Sequence, residues 1–333
     1  MFHKLLDRWD DRRTRRRDDV KVATEVVLDA NRAFPEATGS ADLGDFCMSA
    51  ARAARSSDAF FGVPAQMPKV RWQDDLIQFP SSISTGTPDN DVVHAHVTMA
   101  STTEHAVIVF HHWNASSRNK RLASFFAARG MTVFEMALPY HLERTRPGAA
   151  HADDMLSPNL GRTIQSVRQA VVDGRTLVRI VQDAGYRRVS VLGMSLGSWV
   201  AGLVAAHDPA VSKASLLLNG GDLAEMVWTG SATRHIRESL DGQITSDDLK
   251  RAWAPLNLEN HLDKFARPDL DLQIVLATRD KVVPPAVSER FVNHLKNAGA
   301  SLTVKRLNCG HYSLTLPPYI ISTGLSAALF LNR

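Results

Sequence analysis

A serine hydroxyl attacks a carbonyl near neutral pH only when a base takes its proton and an acid holds that base. Ser195 stands in Gly193-Met194-Ser195-Leu196-Gly197. A β-branched apolar run, residues 189–192, precedes it, and an Ala- and Leu-rich stretch, residues 198–206, follows. That pattern predicts a buried strand turning directly into a helix, the setting of a nucleophile elbow. Such a turn strains the serine backbone and demands small neighbours two positions away, which Gly193 and Gly197 supply. Ser195 is then expected at a helix N-terminus, where free N–H groups favour negative charge.

The elements that position this serine follow from the apolar pattern. Short strands are expected at residues 70–72, 76–79 and 92–97, a continuously apolar one at 106–110, and further strands at 131–136 and 189–192. Further strands are expected at 214–218, 272–277 and 302–307. Helices are expected at about 121–129, 164–184 and 284–298, the first and second closed by Gly130 and Gly185, and at 317–331. Alternating strands and helices predict a mostly parallel sheet with helices on both faces. Residues 222–268 carry no strand signal and read as a helical lid inserted over the sheet.

In an open parallel sheet the reacting groups lie in loops at the carboxyl ends of strands. Two aspartates occupy such loops. Asp280 follows the 272–277 strand in Arg279-Asp280-Lys281-Val282-Val283-Pro284, and Asp222 follows the 214–218 strand in Asn219-Gly220-Gly221-Asp222. His311 follows the 302–307 strand in Cys309-Gly310-His311-Tyr312. The pair His94 and His96 alternates along a strand, but two side chains are too few for a metal site, and an exposed strand face is the expected reading.

The chain order Ser195, acid, His311, together with the elbow and the Gly310-His311 pair, resembles the α/β-hydrolase superfamily over about residues 92–333. The resemblance implies an α/β-hydrolase fold and a serine esterase or lipase-like activity without metal or cofactor. It makes Ser195 the nucleophile, His311 the general base and acid, and Asp280 the orienting carboxylate, with Asp222 as the rival acid. It places one oxyanion donor at the N–H of Leu196. The second would come from His111-His112-Trp113, where the superfamily commonly has His-Gly-X; Trp113 is the expected donor and His112 the alternative. Met194, Tyr140, His141 and Trp228 are expected around the substrate. Trp228 and Trp253 suggest an apolar acyl or alcohol group, although packing within the lid accounts for them equally. An amidase or peptidase, a thioesterase and an acyltransferase share the same three residues, and a non-catalytic binding protein on this fold is the alternative from another class.

Composition narrows the setting. The 333 residues are 44% hydrophobic and 22% charged, with a net charge of +4 and two cysteines. These values suit a soluble globular chain with a sizeable core and no disulfide framework. They give no basic groove for nucleic acid. The start lacks the apolar region of a signal peptide and no run of about twenty apolar residues occurs, so a cytoplasmic protein acting on a small-molecule ester is expected.

Residues 1–68 read as a helical extension ahead of a hydrolase-type domain at 69–333. Phe2, Leu5, Leu6 and Trp9 fall on one helical face, and Val22, Ala23, Val26, Val27 and Ala30 form a second stripe. Between them Arg12, Arg13, Arg15, Arg16 and Arg17 are flanked by Asp10, Asp11, Asp18 and Asp19. The interspersed acids dilute the positive field, so this run is expected to be a solvated face with internal ion pairs. Peripheral membrane contact through residues 1–21 is the secondary reading.

Overall fold

The computed structural model describes residues 2–36 and 42–333; the side chains of Phe2, His3 and Arg17 lie outside the described part. The described residues hold nine strands: β1 (Arg71–Gln73), β2 (Leu76–Pro80), β3 (Val92–Thr98), β4 (His105–Phe110), β5 (Met131–Met136), β6 (Arg188–Met194), β7 (Val211–Leu217), β8 (Asp271–Ala277) and β9 (Ser301–Leu307). They form one sheet in the order β1-β2-β3-β5-β4-β6-β7-β8-β9. β1, β2, β3 and β5 pair antiparallel, and every pair from β5 through β4 to β9 is parallel.

Burial explains the strand sequences. β4 and β5 are buried along their full length, as a strand covered on both faces must be, whereas β3 alternates between buried and partly exposed positions. Successive side chains of β4 enter different cores. Ala106, Ile108 and Phe110 pack with the helices Leu160–Asp183 and Leu196–His207. Val107 and Val109 pack with Ala123, Phe126, Ala327 and Phe330 of the helices Lys120–Ala127 and Tyr319–Asn332. The two-residue period of a strand therefore divides the hydrophobic run between two helical layers.

The strand order reverses at β4, whose neighbours are β5 on one side and β6 on the other. A crevice opens outside the carboxyl ends of such strands. The loop after β4 begins at His111, and the residue after β6 is Ser195.

One expectation needs correction. The N-terminal helix ends at Arg17, and the stripe at Val22, Ala23, Val26 and Val27 is extended, followed by the four-residue helix Ala30–Ala33. This segment gives its backbone to other elements. The carbonyls of Val27 and Leu28 accept from the N–H groups of Leu160 and Gly161 at 2.8 Å each, and Thr24 N–H donates to Ser239 Oγ at 2.9 Å. The first-turn donors of the Leu160–Asp183 helix, which have no partner within that helix, are satisfied in this way. β-branched residues suit the extended form. His94 and His96 lie on β3 beside Gln78 and Asp75, at 3.2 and 2.8 Å. No described helix is long and apolar enough to cross a membrane.

Candidate active site

Ser195 stands between β6 and the Leu196–His207 helix with φ 53° and ψ −124°, a strained backbone for a residue with a side chain. Close packing enforces the bend. A Cβ on Gly193 would lie 2.2 Å from the carbonyl oxygen of Gly197, and one on Gly197 would lie 2.3 Å from the carbonyl oxygens of Phe110 and His111. The elbow is thus pressed against the end of β4, and Ser195 N–H donates to Leu217 O at 2.9 Å, which ties it to β7. Leu196 opens the helix, so its N–H has no partner within the helix.

Ser195, His311 and Asp280 form a continuous hydrogen-bonded line. Ser195 Oγ lies 3.0 Å from His311 Nε2, and His311 Nδ1 lies 2.7 Å from Asp280 Oδ2. The other oxygen of Asp280 accepts from the N–H groups of Val282 and Val283 at 2.7 and 2.9 Å. The carboxylate is therefore fixed from two sides, and with Asp280 5% and His311 9% exposed the pair is largely shielded from water. Asp222 lies elsewhere. It accepts from Glu225 N–H at 3.0 Å as the cap of the Leu223–Thr229 helix, and it pairs with Lys250 at 2.8 Å.

The loop after β4 is braced by two histidines. Leu138 N–H donates to His111 Nε2 at 3.0 Å, while His111 Nδ1 bonds His112 O at 2.9 Å. Asn114 N–H donates to His141 Nε2 at 2.9 Å, while His141 Nδ1 bonds Pro139 O at 2.8 Å. In each ring Nε2 accepts a bond, so both imidazoles are neutral with the proton on Nδ1. Burial agrees with this: it pushes His111 well below the usual histidine range and His141 to about 4. The rings meet edge to face, 4.8 Å apart. Trp113 is fixed by a 3.0 Å bond from its indole N–H to Ala152 O and stacks on His235. Ser195, Asn114, Tyr140, Leu142 and Leu218 all have positive φ. Strained backbone of this kind concentrates at functional sites.

A cavity of about 490 Å³ opens over Ser195. Met194, His112 and Trp113 line it, with Ala232 from the helical segment between β7 and β8. Tyr140, His141 and Trp228 are absent from the lining. His141 is turned into the protein to hold Asn114, and Tyr140 N–H bonds Asn90 Oδ1. Trp228 packs against the core and Trp253 is buried within it.

Sequence reading missed the N-terminal helix as part of this site. Its acids pair with residues far along the chain, not within the helix as expected. Asp7 pairs with Arg279 and Asp11 with Lys281, so both neighbours of Asp280 are bound. Asp10 accepts from the N–H groups of Tyr312 and Ser313 at 2.8 and 3.0 Å, and Asp18 accepts from the Tyr312 hydroxyl. Asp19 pairs with Arg234 at 3.0 Å. Arg13 and Arg16 consequently line the cavity with Ser195. The three-residue spacing of Asp10, Arg13 and Arg16 marks one helical face, but the sequence carries no signal for what that face meets.

The sheet order, the strained elbow and the covering helices define an α/β-hydrolase fold, and solved structures bear this out. The chain is similar to acetyl xylan esterase 1 from Thermoanaerobacterium sp. JW/SL YS485, at 16% identity and TM-score 0.59, over 93% of this chain and 99% of that one. It is similar to the Pyrococcus horikoshii acylaminoacyl peptidase, at 10% identity and TM-score 0.62, over 81% of this chain and 42% of that one. It is also similar to a Mycobacterium tuberculosis puromycin-hydrolyzing peptidase, at 18% identity and TM-score 0.59, over 79% of this chain and 38% of that one. The chain thus spans less than half the length of either peptidase. No family model matches the chain, and no curated protein matches its sequence.

Proposed function

We propose that this protein is a serine hydrolase that cleaves a carboxylic ester through an acyl-enzyme on Ser195. The observation that carries the reading is the unbroken line from Ser195 Oγ through His311 to Asp280, at 3.0 and 2.7 Å. Those are hydrogen-bond distances for a nucleophile, its base and the group that orients the base.

His311 Nε2 takes the proton of Ser195 as Oγ bonds to the ester carbonyl carbon. The carbonyl π electrons move to oxygen, and the backbone N–H groups of Leu196 and of Trp113 or His112 hold the resulting oxyanion. Asp280 keeps the proton of His311 on Nδ1 and stabilises the imidazolium. The oxyanion collapses, the bond to the leaving alkoxy oxygen breaks, and His311 delivers its proton to that oxygen. Water, deprotonated by His311, then attacks the acyl-enzyme and releases the acid and the Ser195 hydroxyl.

An ester is favoured over an amide by the pattern of likeness. The acetyl xylan esterase matches along nearly the full length of both chains, whereas the peptidases match over less than half of theirs. Steady-state hydrolysis of short p-nitrophenyl esters tests the proposal. Turnover by the wild type that is lost in Ser195→Ala supports it; equal turnover by both proteins refutes it.

A further inference from the structure

The N-terminal helix uses its acids to dock and leaves two of its arginines facing the cavity. Asp10 is packed against Gly310, where a Cβ would come within 2.5 Å of its carboxylate, and this contact fixes the rotation of the helix. Arg13 and Arg16 follow on the same face and line the cavity that contains Ser195 and His311. Among the described residues neither guanidinium has a carboxylate partner; the contact of Arg13 is with the Trp9 ring, 5.3 Å from its centroid. A third cation, Lys21, lies over Trp113, which lines the same cavity. Lys21 Nζ lies 3.3 Å from the centroid of the Trp113 ring and has no hydrogen-bond partner. Asp18, the carboxylate in the lining, accepts from the Tyr312 hydroxyl through one oxygen and has Lys21 as its cationic neighbour.

We infer that the site accepts an ester whose non-reacting part carries an anionic group, a carboxylate or a phosphate, held by Arg13 and Arg16 while Ser195 reacts. This deepens the serine hydrolase reading and rests on it. A guanidinium presents paired N–H donors that match the oxygens of either anion, and two at one mouth repel each other until an anion lies between them. Arginine near a helix C-terminus also complements the helix dipole, but Arg12 and Arg15 meet that role equally without lining the cavity. They are the natural control.

The test compares mono-4-nitrophenyl glutarate with its neutral methyl ester. The ratio of kcat/KM, anionic over neutral, is expected to fall about tenfold in Arg13→Gln/Arg16→Gln and to hold in Arg12→Gln/Arg15→Gln, which removes the same net charge. An unchanged ratio in the first variant, or an equal fall in both, overturns the inference. Inhibition by glutarate against inhibition by glycerol phosphate, whichever is tighter, identifies the anion. Should the wild type hydrolyse neither ester, the serine hydrolase reading fails on its own. Calorimetric titration of Ser195→Ala with the same two esters then decides the anion site. Tighter binding of the anionic ester that is lost with Arg13→Gln/Arg16→Gln supports it; equal or absent binding overturns it.

Discussion

The carboxylate of Asp10 accepts a 2.8 Å hydrogen bond from the backbone N–H of Tyr312, the residue directly after His311. A second bond, from Ser313, reaches the same oxygen at 3.0 Å. A side chain from the first helix thus holds the loop that carries His311, from the far end of the chain. Replacing Asp10 with Ala would leave two buried N–H groups without an acceptor, at a cost of about 1–3 kcal/mol. The Asp10→Ala variant is therefore expected to melt several degrees lower and to lose roughly tenfold in kcat, as His311 is held less firmly. Thermal unfolding and ester kinetics on the same preparation check both. An unchanged kcat would show that the helix does not position His311.

How far the sequence reaches is clear from this contact. Ser195 between Gly193 and Gly197 was legible because a strand-to-helix bend imposes local sterics, and local sterics leave a local pattern. The inner strands β4 to β8 were legible as buried, mainly apolar runs and β3 by its two-residue alternation, whereas the exposed edge strand β1, Arg71-Trp72-Gln73, carries little apolar signal. The choice between Asp222 and Asp280 was not, since both follow strands; only folding shows that Asp222 caps a helix and binds Lys250. Residues 22–30 misled because their apolar spacing suits a helix, while their backbone is consumed by the Leu160–Asp183 helix. The partners of Asp7, Asp10 and Asp11 lie some 300 residues away, on the order of the whole chain, and no periodicity encodes them.

The buried pair Arg144 and Asp173 supports the loop that His141 belongs to. The two side chains meet at 3.0 Å and are essentially inaccessible to water. Arg144 also donates to Asn90 O at 2.9 and 2.7 Å, and Asp173 accepts from Ser81 at 2.7 Å. Removing one partner strands a buried charge, which costs about 3–5 kcal/mol. Arg144→Met is expected to destabilise by that amount in urea unfolding. A change below about 1 kcal/mol would mean the pair contributes little.

Acid should unfold the protein partly through His141. Burial holds its folded pKa to about 4, helped by the positive charges of His112, Arg144 and Lys21 and opposed by the bond to Pro139. In the unfolded chain it titrates near 6.5. As pH falls from 6.5 toward 4 the unfolded state therefore binds the extra proton, and stability drops by up to about 1 kcal/mol per pH unit. Above 6.5 the contribution is fully present. His141→Gln should flatten the fall in unfolding free energy across that window; a variant with the wild-type slope would assign the acid sensitivity to other groups.

Labelling with a fluorophosphonate is the most direct test of the central claim, because the reagent bonds preferentially to an activated serine. The protein is treated at neutral pH, digested, and the adduct located by mass spectrometry. One adduct on Ser195, absent in His311→Gln, is the expected result. An unlabelled protein, or labelling at Ser195 that persists undiminished in His311→Gln, would contradict the account of Ser195, His311 and Asp280 as one catalytic unit.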